Sequence, residues 1–388
     1  MKIWPVYLLL AAVLTACTDT PSAGQTVQNQ PSSAAQVPTL IATVAAQPTS
    51  QPITAPAPTA VPTLAPTVAL PTSQPTRISE PTSAPISGLV LARGAVTARL
   101  NAVMIDNHPN AYPQTGLDGA VVVFEALAEF GITRYMAIFA DGFSPNMQTI
   151  GPVRSARPYF VEWAKGLGAS YIHAGGSPEG LLLAETAIEI VNMDALRRDG
   201  GKFFRRSAER AAPHNLYTSS ADIAAFVQQQ ASAEPDYRAI GFLYKAEAAP
   251  TDRPASQSLR YFFIYPEQSV GWSYDAQQND YLRFRGTRPY IDARTGEQLR
   301  FTNLLILEVP EAPIPGDPKG RIEQQVIGQG PGRLFLDGVQ REIVWRKDAG
   351  FAPLSFYLPS GEEIALNPGT TWIAAVPSLQ NLTVEGGN

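Results

Sequence analysis

The chain has 388 residues, 34 acidic against 29 basic residues, a formal charge of −5 and one cysteine. This length exceeds the roughly 100 to 200 residues of a typical domain and predicts two domains. The mild acidity argues against nucleic acid as a partner, because nucleic acid is bound by basic surfaces. A single cysteine excludes an internal disulfide and a zinc site built from cysteines.

The amino terminus has the pattern of a signal peptide. Residues 1–17, MKIWPVYLLLAAVLTAC, contain an apolar run that is shorter than the about 20 residues needed to span a bilayer. The last four of them resemble the lipobox of bacterial lipoprotein precursors, where cleavage makes the cysteine the lipidated first residue. The resemblance implies that Cys17 carries the lipid and anchors the protein to the outer face of a bacterial cell membrane. The alternative is an ordinary secretory peptide with an incidental cysteine.

The next segment, residues 18–87, contains 13 prolines and three charged residues. Such a composition buries too little apolar area to offset the entropy lost on ordering. It predicts a disordered, partly polyproline-like tether between the anchor and the folded part.

Residues 88–240 alternate between strand and helix patterns. The predicted helices follow Ser155, Ser177 and Ser220, and Ser177 is a plausible helix N-cap before Pro178. We predict an α/β or α+β domain with a mixed sheet. Its predicted strands, which are short and bounded by turn residues, are Leu100–Asp106, Ala120–Ala126, Ile132–Ala140 and Ala169–Gly175.

Residues 255–388 consist of short alternating strands, which predict a smaller, mostly β carboxy-terminal domain. Within it, Asp337 and Gly338 separate two apolar runs, and Asp-Gly in that position predicts a tight hairpin turn.

Polar side chains cluster at the ends of the predicted amino-terminal strands. Since strand ends at one edge of a sheet share a crevice, we expect these side chains to converge in one open cleft. The candidates are Asp106, Asn107, His108, Glu125, Arg134, Arg154, Ser155, Arg157, His173, Ser177, His214 and Asn215.

Several motifs occur in the order found in one known family. They are VMIDNHPNAYPQTGLDGAVVVFEALAEFGITRYMAIF, IGPVRSARPYF, IHAGGSP and APHNLYTS, followed by DYLRFRG, IDARTGEQL and LNPGTTWIAAVP. On these motifs the chain resembles the DUF3048 family of bacterial lipoproteins over nearly all of residues 90–388. The resemblance implies the two-domain architecture and an envelope location, but little chemistry. In that family a histidine often lies near the PYID stretch, where this chain has Tyr290.

The first functional hypothesis is recognition of an anionic cell-envelope component, such as a wall polymer or a peptide carboxylate. Arg154 and Arg157 lie three residues apart, and the turn before Ser177 opens a helix whose free N–H groups favour anions. Ser155, Asn107, Arg134 and Asn215 are the further candidate ligand-binding residues. The alternative is that Arg154 and Arg157 pair with Glu125, Glu129 or Asp106 inside the fold.

The second hypothesis is that the same cleft is the active site of an envelope hydrolase or transferase. His173 or His214 is the candidate general base, and Asp106 or Glu125 orients it or acts as an acid. Neither Ser155 nor Ser177 lies in a GxSxG motif. The sequence predicts no cofactor and no metal, since its histidines lack short metal-ligand spacing.

Glu125 lies within an apolar strand, and a buried carboxylate needs a partner. We expect Arg134, on the next strand, to be that partner. A third hypothesis, a non-enzymatic scaffold for cell-wall enzymes, requires an exposed aromatic patch; burial in the core is the alternative for these residues. The patch would comprise Trp272, Tyr274, Tyr281 and Trp345.

Overall fold

A computed structural model describes residues 99–197, 202–230 and 242–387. Cys17 and the predicted tether at 18–87 lie outside the described residues. In the described part of the chain, no helix combines the length and the apolarity that crossing a membrane requires.

The described residues form many short strands and few helices. The helices are α1 (Pro158–Gly166), α2 (Pro178–Thr186) and α3 (Ser220–Gln230). The strands are β1 (Leu100–Asp106), β2 (Val122–Glu129), β3 (Ile132–Ala140), β4 (Ser170–His173), β5 (Asn192–Asp194), β6 (Arg205–Arg206), β7 (Leu216–Tyr217), β8 (Leu243–Tyr244), β9 (Gln257–Tyr261), β10 (Val270–Asp275), β11 (Asp280–Arg285), β12 (Arg288–Pro289), β13 (Arg300–Phe301), β14 (Asn303–Glu308), β15 (Glu311–Pro313), β16 (Ile322–Gln324), β17 (Gly328–Leu336), β18 (Val339–Lys347), β19 (Ser355–Tyr357), β20 (Ala365–Leu366), β21 (Thr371–Val376) and β22 (Leu382–Gly386).

A ten-stranded mixed sheet has the order β19-β18-β17-β14-β21-β2-β3-β1-β4-β5. The amino-terminal strands and α1 to α3 form the mixed α/β part, and the carboxy-terminal region is mostly β, so the predicted fold class is confirmed. The two regions also share this sheet, because β2 pairs in parallel with β21. A six-stranded sheet contains β12-β11-β10-β9-β22, with β13 paired to β11.

Local sequence signals explain several boundaries. The Ser177 side chain accepts a hydrogen bond from the Gly180 N–H at the start of α2, directly before Pro178. Asp337 and Gly338 have positive φ angles of 54° and 72°, which make the two-residue turn between β17 and β18.

The large sheet has a hydrophobic core on each face. One core joins the sheet to the six-stranded sheet and α3, and the other packs α1 against the sheet and includes residues of its strands β17 and β18. The expected exposed aromatic patch is wrong, because all four of its side chains are buried in these two cores: Trp272, Tyr274, Tyr281 and Trp345. Their size and their place on inward-facing strand positions put them there.

Candidate functional site

The hairpin formed by β2 and β3 carries two acidic side chains, Glu125 and Glu129, on opposite faces of the sheet. Glu125 lies opposite Tyr135 in the strand register, whereas Arg134 lies opposite Ala126. Because neighbouring residues of a strand face opposite sides, Glu125 and Arg134 do not meet. The expected Glu125–Arg134 pair is therefore wrong. A β-bulge between Leu127 and Glu129 shifts the alternation, so that Glu129 meets Arg134 instead.

Glu125 pairs across the interface between the two sheets with Arg283 of β11. The Arg283 Nη2 lies 3.2 Å from the Glu125 Oε2, and both side chains are almost fully buried. Thr133 Oγ1 and the Tyr261 hydroxyl each donate to the carboxylate at 3.1 Å. Burial raises the pKa of Tyr261 well above its ordinary value, which keeps this hydroxyl a donor.

Aromatic rings enclose the Arg283 guanidinium. Its central carbon lies 5.2, 5.0 and 4.7 Å from the ring centroids of Trp272, Tyr290 and Trp372. Burial acts to lower the pKa of Arg283, but the Glu125 carboxylate and the nearby tyrosines outweigh it and raise the pKa. The pair is thus a buried joint between the sheets in which the two opposite charges balance each other.

A second group of polar residues, the Asp106 cluster, comprises Asp106, His108, Arg154 and His214. The Asp106 Oδ2 lies 2.7 Å from His214 Nδ1 and 3.0 Å from Arg154 Nε, and Asp106 Oδ1 accepts the His108 backbone N–H at 3.0 Å. The rings of His108 and His214 stack with centroids 4.3 Å apart. The Arg154 side chain is 25% exposed, so this cluster reaches solvent.

Arg134 and Arg157 share a single carboxylate beside this cluster. Both guanidinium groups contact Glu129, and Arg134 also donates to the Ser155 carbonyl at 3.1 Å. Burial, together with the charge of Arg157, lowers the pKa of Arg134 to about 10, so that it stays cationic at neutral pH. The internal pairing expected as the alternative for Arg154 and Arg157 is present.

Other predicted candidates lie outside this region of open polar groups. His173 is fully buried, with its ring nitrogens 2.9 Å from the Gly175 carbonyl and 2.8 Å from the Asn192 side-chain oxygen. The Asn215 side chain bonds Arg206 and two backbone carbonyls. The candidates therefore do not all converge in one open cleft, as the sequence led us to expect. A position at the end of a strand does not by itself determine whether a side chain is exposed or enclosed.

The turn that opens α2 does not offer the free N–H groups that the sequence suggested. The Asp194 carboxylate accepts the Gly175 N–H at 2.8 Å, and the Ser177 hydroxyl accepts the Gly180 N–H at 3.1 Å. Glu179 adds an acidic side chain to the first turn. Ser177 is thus a helix cap, and the N–H groups of Gly175 and Gly180 have partners within the fold.

A cleft of about 410 Å³ lies between the β2–β3 hairpin and the six-stranded sheet. Asn107, His108 and Glu125 were singled out from the sequence and line it. Sequence reasoning missed most of the other lining residues, although the DYLRFRG motif contained three of them, Arg283, Arg285 and Gly286. Phe130 of the β2–β3 hairpin and Tyr265 of the carboxy-terminal region were also missed.

Across residues 99–197, 202–230 and 242–387, no three His, Cys, Asp or Glu side chains come together as a set that would hold a metal ion. Metal binding therefore finds no support in the geometry of the Asp106 cluster.

Two family models match this chain. One, described as protein of unknown function (DUF3048) N-terminal domain, matches residues 86–234, and the corresponding C-terminal domain matches residues 260–373. The chain is 32% identical over 315 residues to "Putative lipoprotein YerB" of Bacillus subtilis (strain 168), which covers 78% of this chain and 89% of that protein. The crystal structure of the YerB protein from Bacillus subtilis superimposes with a TM-score of 0.66 at 30% identity, covering 78% of this chain and 99% of that one.

Proposed function

This chain belongs to the DUF3048 family, and from that premise we propose that it is a lipid-anchored extracytoplasmic protein that binds an anionic component of the bacterial cell envelope. The lipoprotein name of the Bacillus subtilis relative supports the anchoring. The lipobox-like sequence before Cys17 supports it independently.

The observation that carries the anion proposal is a local surplus of positive charge in a chain that is acidic overall. Three guanidinium groups, those of Arg134, Arg154 and Arg157, share the carboxylates of Asp106 and Glu129. One positive charge is left uncompensated within this group. Arg154 is its most exposed guanidinium, so an incoming phosphate or carboxylate gains a charge-assisted contact there.

The test measures binding of poly(glycerol phosphate), with neutral dextran as the uncharged control polymer. Arg154→Gln should raise the Kd for poly(glycerol phosphate) about tenfold, since a hydrogen bond to a charged group contributes about 1.5 kcal/mol or more. Arg154→Lys should retain most of the binding, because it retains the charge. The matched control is Arg346→Gln, which removes an exposed arginine paired with Asp348 elsewhere on the fold.

Equal weakening by Arg154→Gln and Arg346→Gln would contradict the proposal, because it would show that only the overall charge matters. So would equal binding of dextran and poly(glycerol phosphate). Added salt should weaken the binding of the wild-type protein, since the exposed contact is screened.

Anchoring is tested by Cys17→Ser. We expect the protein to move from the membrane fraction to the soluble fraction and to lose incorporation of labelled fatty acid. Retention of the variant in a salt-washed membrane fraction would contradict lipid anchoring through Cys17.

One contact favours acid–base catalysis as a second candidate function. The 2.7 Å contact between Asp106 and His214 Nδ1 orients the imidazole, and it leaves Nε2 as the nitrogen that takes a proton from a nucleophile. Hydrolysis of poly(glycerol phosphate), followed as released glycerol phosphate, should fall about 100-fold or more in His214→Gln and in Asp106→Asn. Turnover that is absent, or unchanged in both variants, would remove this candidate.

A further inference from the structure

The tip of the β2–β3 hairpin carries a bulky aromatic residue in a backbone conformation that disfavours it. Phe130 has a φ of 50°, in the left-handed region, where asparagine and glycine are the usual residues. Its side chain is 65% exposed and lines the cleft between the hairpin and the six-stranded sheet. One edge of the ring packs against Gly320, where a Cβ atom would come within 2.5 Å of it, and the remainder of the side chain stays exposed. A strained turn that leaves most of an aromatic side chain exposed at a cleft points to a functional use of that ring.

A second aromatic ring stands beside it. The Tyr265 ring covers Gly131, where a Cβ atom would come within 2.3 Å of the ring, so only glycine permits this approach. Tyr265 and its neighbour Ile264 are exposed and also line the cleft. We call Phe130 and Tyr265 the aromatic lip.

The remaining wall of the cleft offers polar side chains. Arg285 has a cation–π contact with Tyr112, its guanidinium carbon 5.6 Å from the ring centroid. Within the described parts of the chain it has no carboxylate within ion-pair distance. Glu267 and Gln268 are exposed at the same cleft, and His108 joins the cleft to the Asp106 cluster.

We propose that this cleft is a binding site for an acidic saccharide, in which the aromatic lip packs against the sugar ring and Arg285 binds the acidic group. The inference rests on the proposed function for the envelope setting and the negative charge of the ligand, and it adds the ligand class. The aromatic lip and Arg285 are separate from the arginines that carry the anion proposal.

The combination of groups favours a saccharide. A sugar ring has an apolar C–H face, which suits an exposed aromatic ring, and hydroxyl groups that both donate and accept hydrogen bonds. Glu267 and Gln268, both exposed, offer planar acceptor and donor groups for those hydroxyls. The volume of about 410 Å³ lies within the range of about 300 to 1,000 Å³ typical of small-ligand sites. An extended proline-rich peptide also uses aromatic grooves, and the experiment separates the two ligands.

The experiment uses N-acetylmuramic acid and N-acetylglucosamine, which share one ring and differ by a carboxylate-bearing lactyl group. Binding to the purified full chain is measured by ligand-observed NMR titration. The wild-type protein should bind both sugars, and the acidic one about tenfold more tightly. Arg285→Gln should remove that preference and leave N-acetylglucosamine binding unchanged.

Phe130→Asn tests the lip without damaging the turn. Asparagine tolerates the left-handed backbone, so the variant should unfold at the same or a higher denaturant concentration than the wild type. Its affinity for both sugars should nevertheless fall about tenfold. Phe351→Asn, which removes an exposed phenylalanine outside the cleft, is the matched control and should leave both affinities unchanged.

The outcomes separate this inference from the proposed function. Arg154-dependent binding of poly(glycerol phosphate) without any binding of either sugar would overturn the saccharide site and leave the anion proposal standing. Sugar binding that depends on Phe130 and Arg285, with no effect of Arg154→Gln on the binding of poly(glycerol phosphate), would support the saccharide site and overturn the anion proposal. Equal effects of Phe130→Asn and Phe351→Asn, or binding of a proline-rich peptide in place of the sugars, would also overturn the inference.

Discussion

The buried pair of Glu125 and Arg283 gives the sharpest test of how the two sheets are joined. Glu125→Gln removes the negative charge and leaves the Arg283 guanidinium enclosed among aromatic rings without its counter-ion. Breaking a buried pair by removing one partner costs about 3 to 5 kcal/mol. The glutamine also places its amide N–H group against the hydroxyl groups of Thr133 and Tyr261, which donate to the carboxylate in the wild-type protein. We therefore expect the free energy of unfolding to fall by about 4 kcal/mol.

Arg283→Met leaves the carboxylate unpaired and should cost a similar amount. The double variant Glu125→Gln/Arg283→Met removes both charges, and replacing a whole buried pair by neutral groups is often close to neutral. It should therefore lose less stability than either single variant. The three variants and the wild type form a double-mutant cycle with a coupling free energy of at least about 2 kcal/mol.

The assay is equilibrium urea unfolding followed by circular dichroism, with the free energy of unfolding taken from curves of equal m-value. A loss below about 1 kcal/mol for Glu125→Gln would refute the account of an enclosed, mutually dependent pair. Additive losses in the double variant would refute it equally, because additivity is the behaviour of independent sites.

Three further predictions concern stability. Gly338→Ala should cost about 1 kcal/mol or more, measured by urea unfolding, because the φ of 72° disfavours alanine and its Cβ would come within 2.5 Å of the Tyr274 ring; an unchanged midpoint would contradict this. Burial lowers the pKa of Lys347 to about 8, so the unfolded chain binds more protons than the folded chain between about pH 8 and 10. The contribution of Lys347 to stability should therefore rise with pH in this range. Lys347→Met should abolish that rise, measured by urea unfolding at each pH. Burial and the neighbouring His214 lower the pKa of His108, so stability should fall as the pH drops below about 6.5. The fall should be smaller in His108→Asn. Asparagine retains a side-chain acceptor for the Asn110 N–H. If Lys347→Met or His108→Asn has the same dependence of stability on pH as the wild-type protein, the corresponding prediction is contradicted.

Local signals were sufficient for the elements that depend on a few neighbouring residues. The Ser177-Pro178 start of α2 and the Asp337-Gly338 turn follow from backbone preferences that act within four residues. The parallel pairing of β2 with β21 joins Val122 to Thr371, and no nearby residue encodes it. The sequence therefore indicated two regions of different character, and their common sheet became visible only in three dimensions.

The partner of Glu125 shows why the site was harder to predict than the elements. Sequence reasoning chose the arginine on the adjacent strand, whereas the actual partner lies 158 residues away. The register of the hairpin decides the pairing: Glu125 lies opposite Tyr135 and Arg134 lies opposite Ala126, so the two side chains are on opposite faces of the sheet. The bulge before Glu129, which creates the Arg134 pair, carries no clear sequence signal.

The end of β1 links the Asp106 cluster to the cleft. The Gln114 amide donates to the Asp106 carbonyl at 2.8 Å, and Asn107 donates to Thr133 at 2.7 Å, which in turn donates to Glu125 at the cleft wall. These bonds fix the side chains at the two places where we propose that an anion and a sugar ring bind. One network thus connects the two places, because Asn107 bonds Thr133 and the adjacent His108 stacks on His214. A ligand that reached both proposed places would meet a single preorganised surface, so we expect a polymer with regularly spaced acidic groups to bind more tightly than a small free anion.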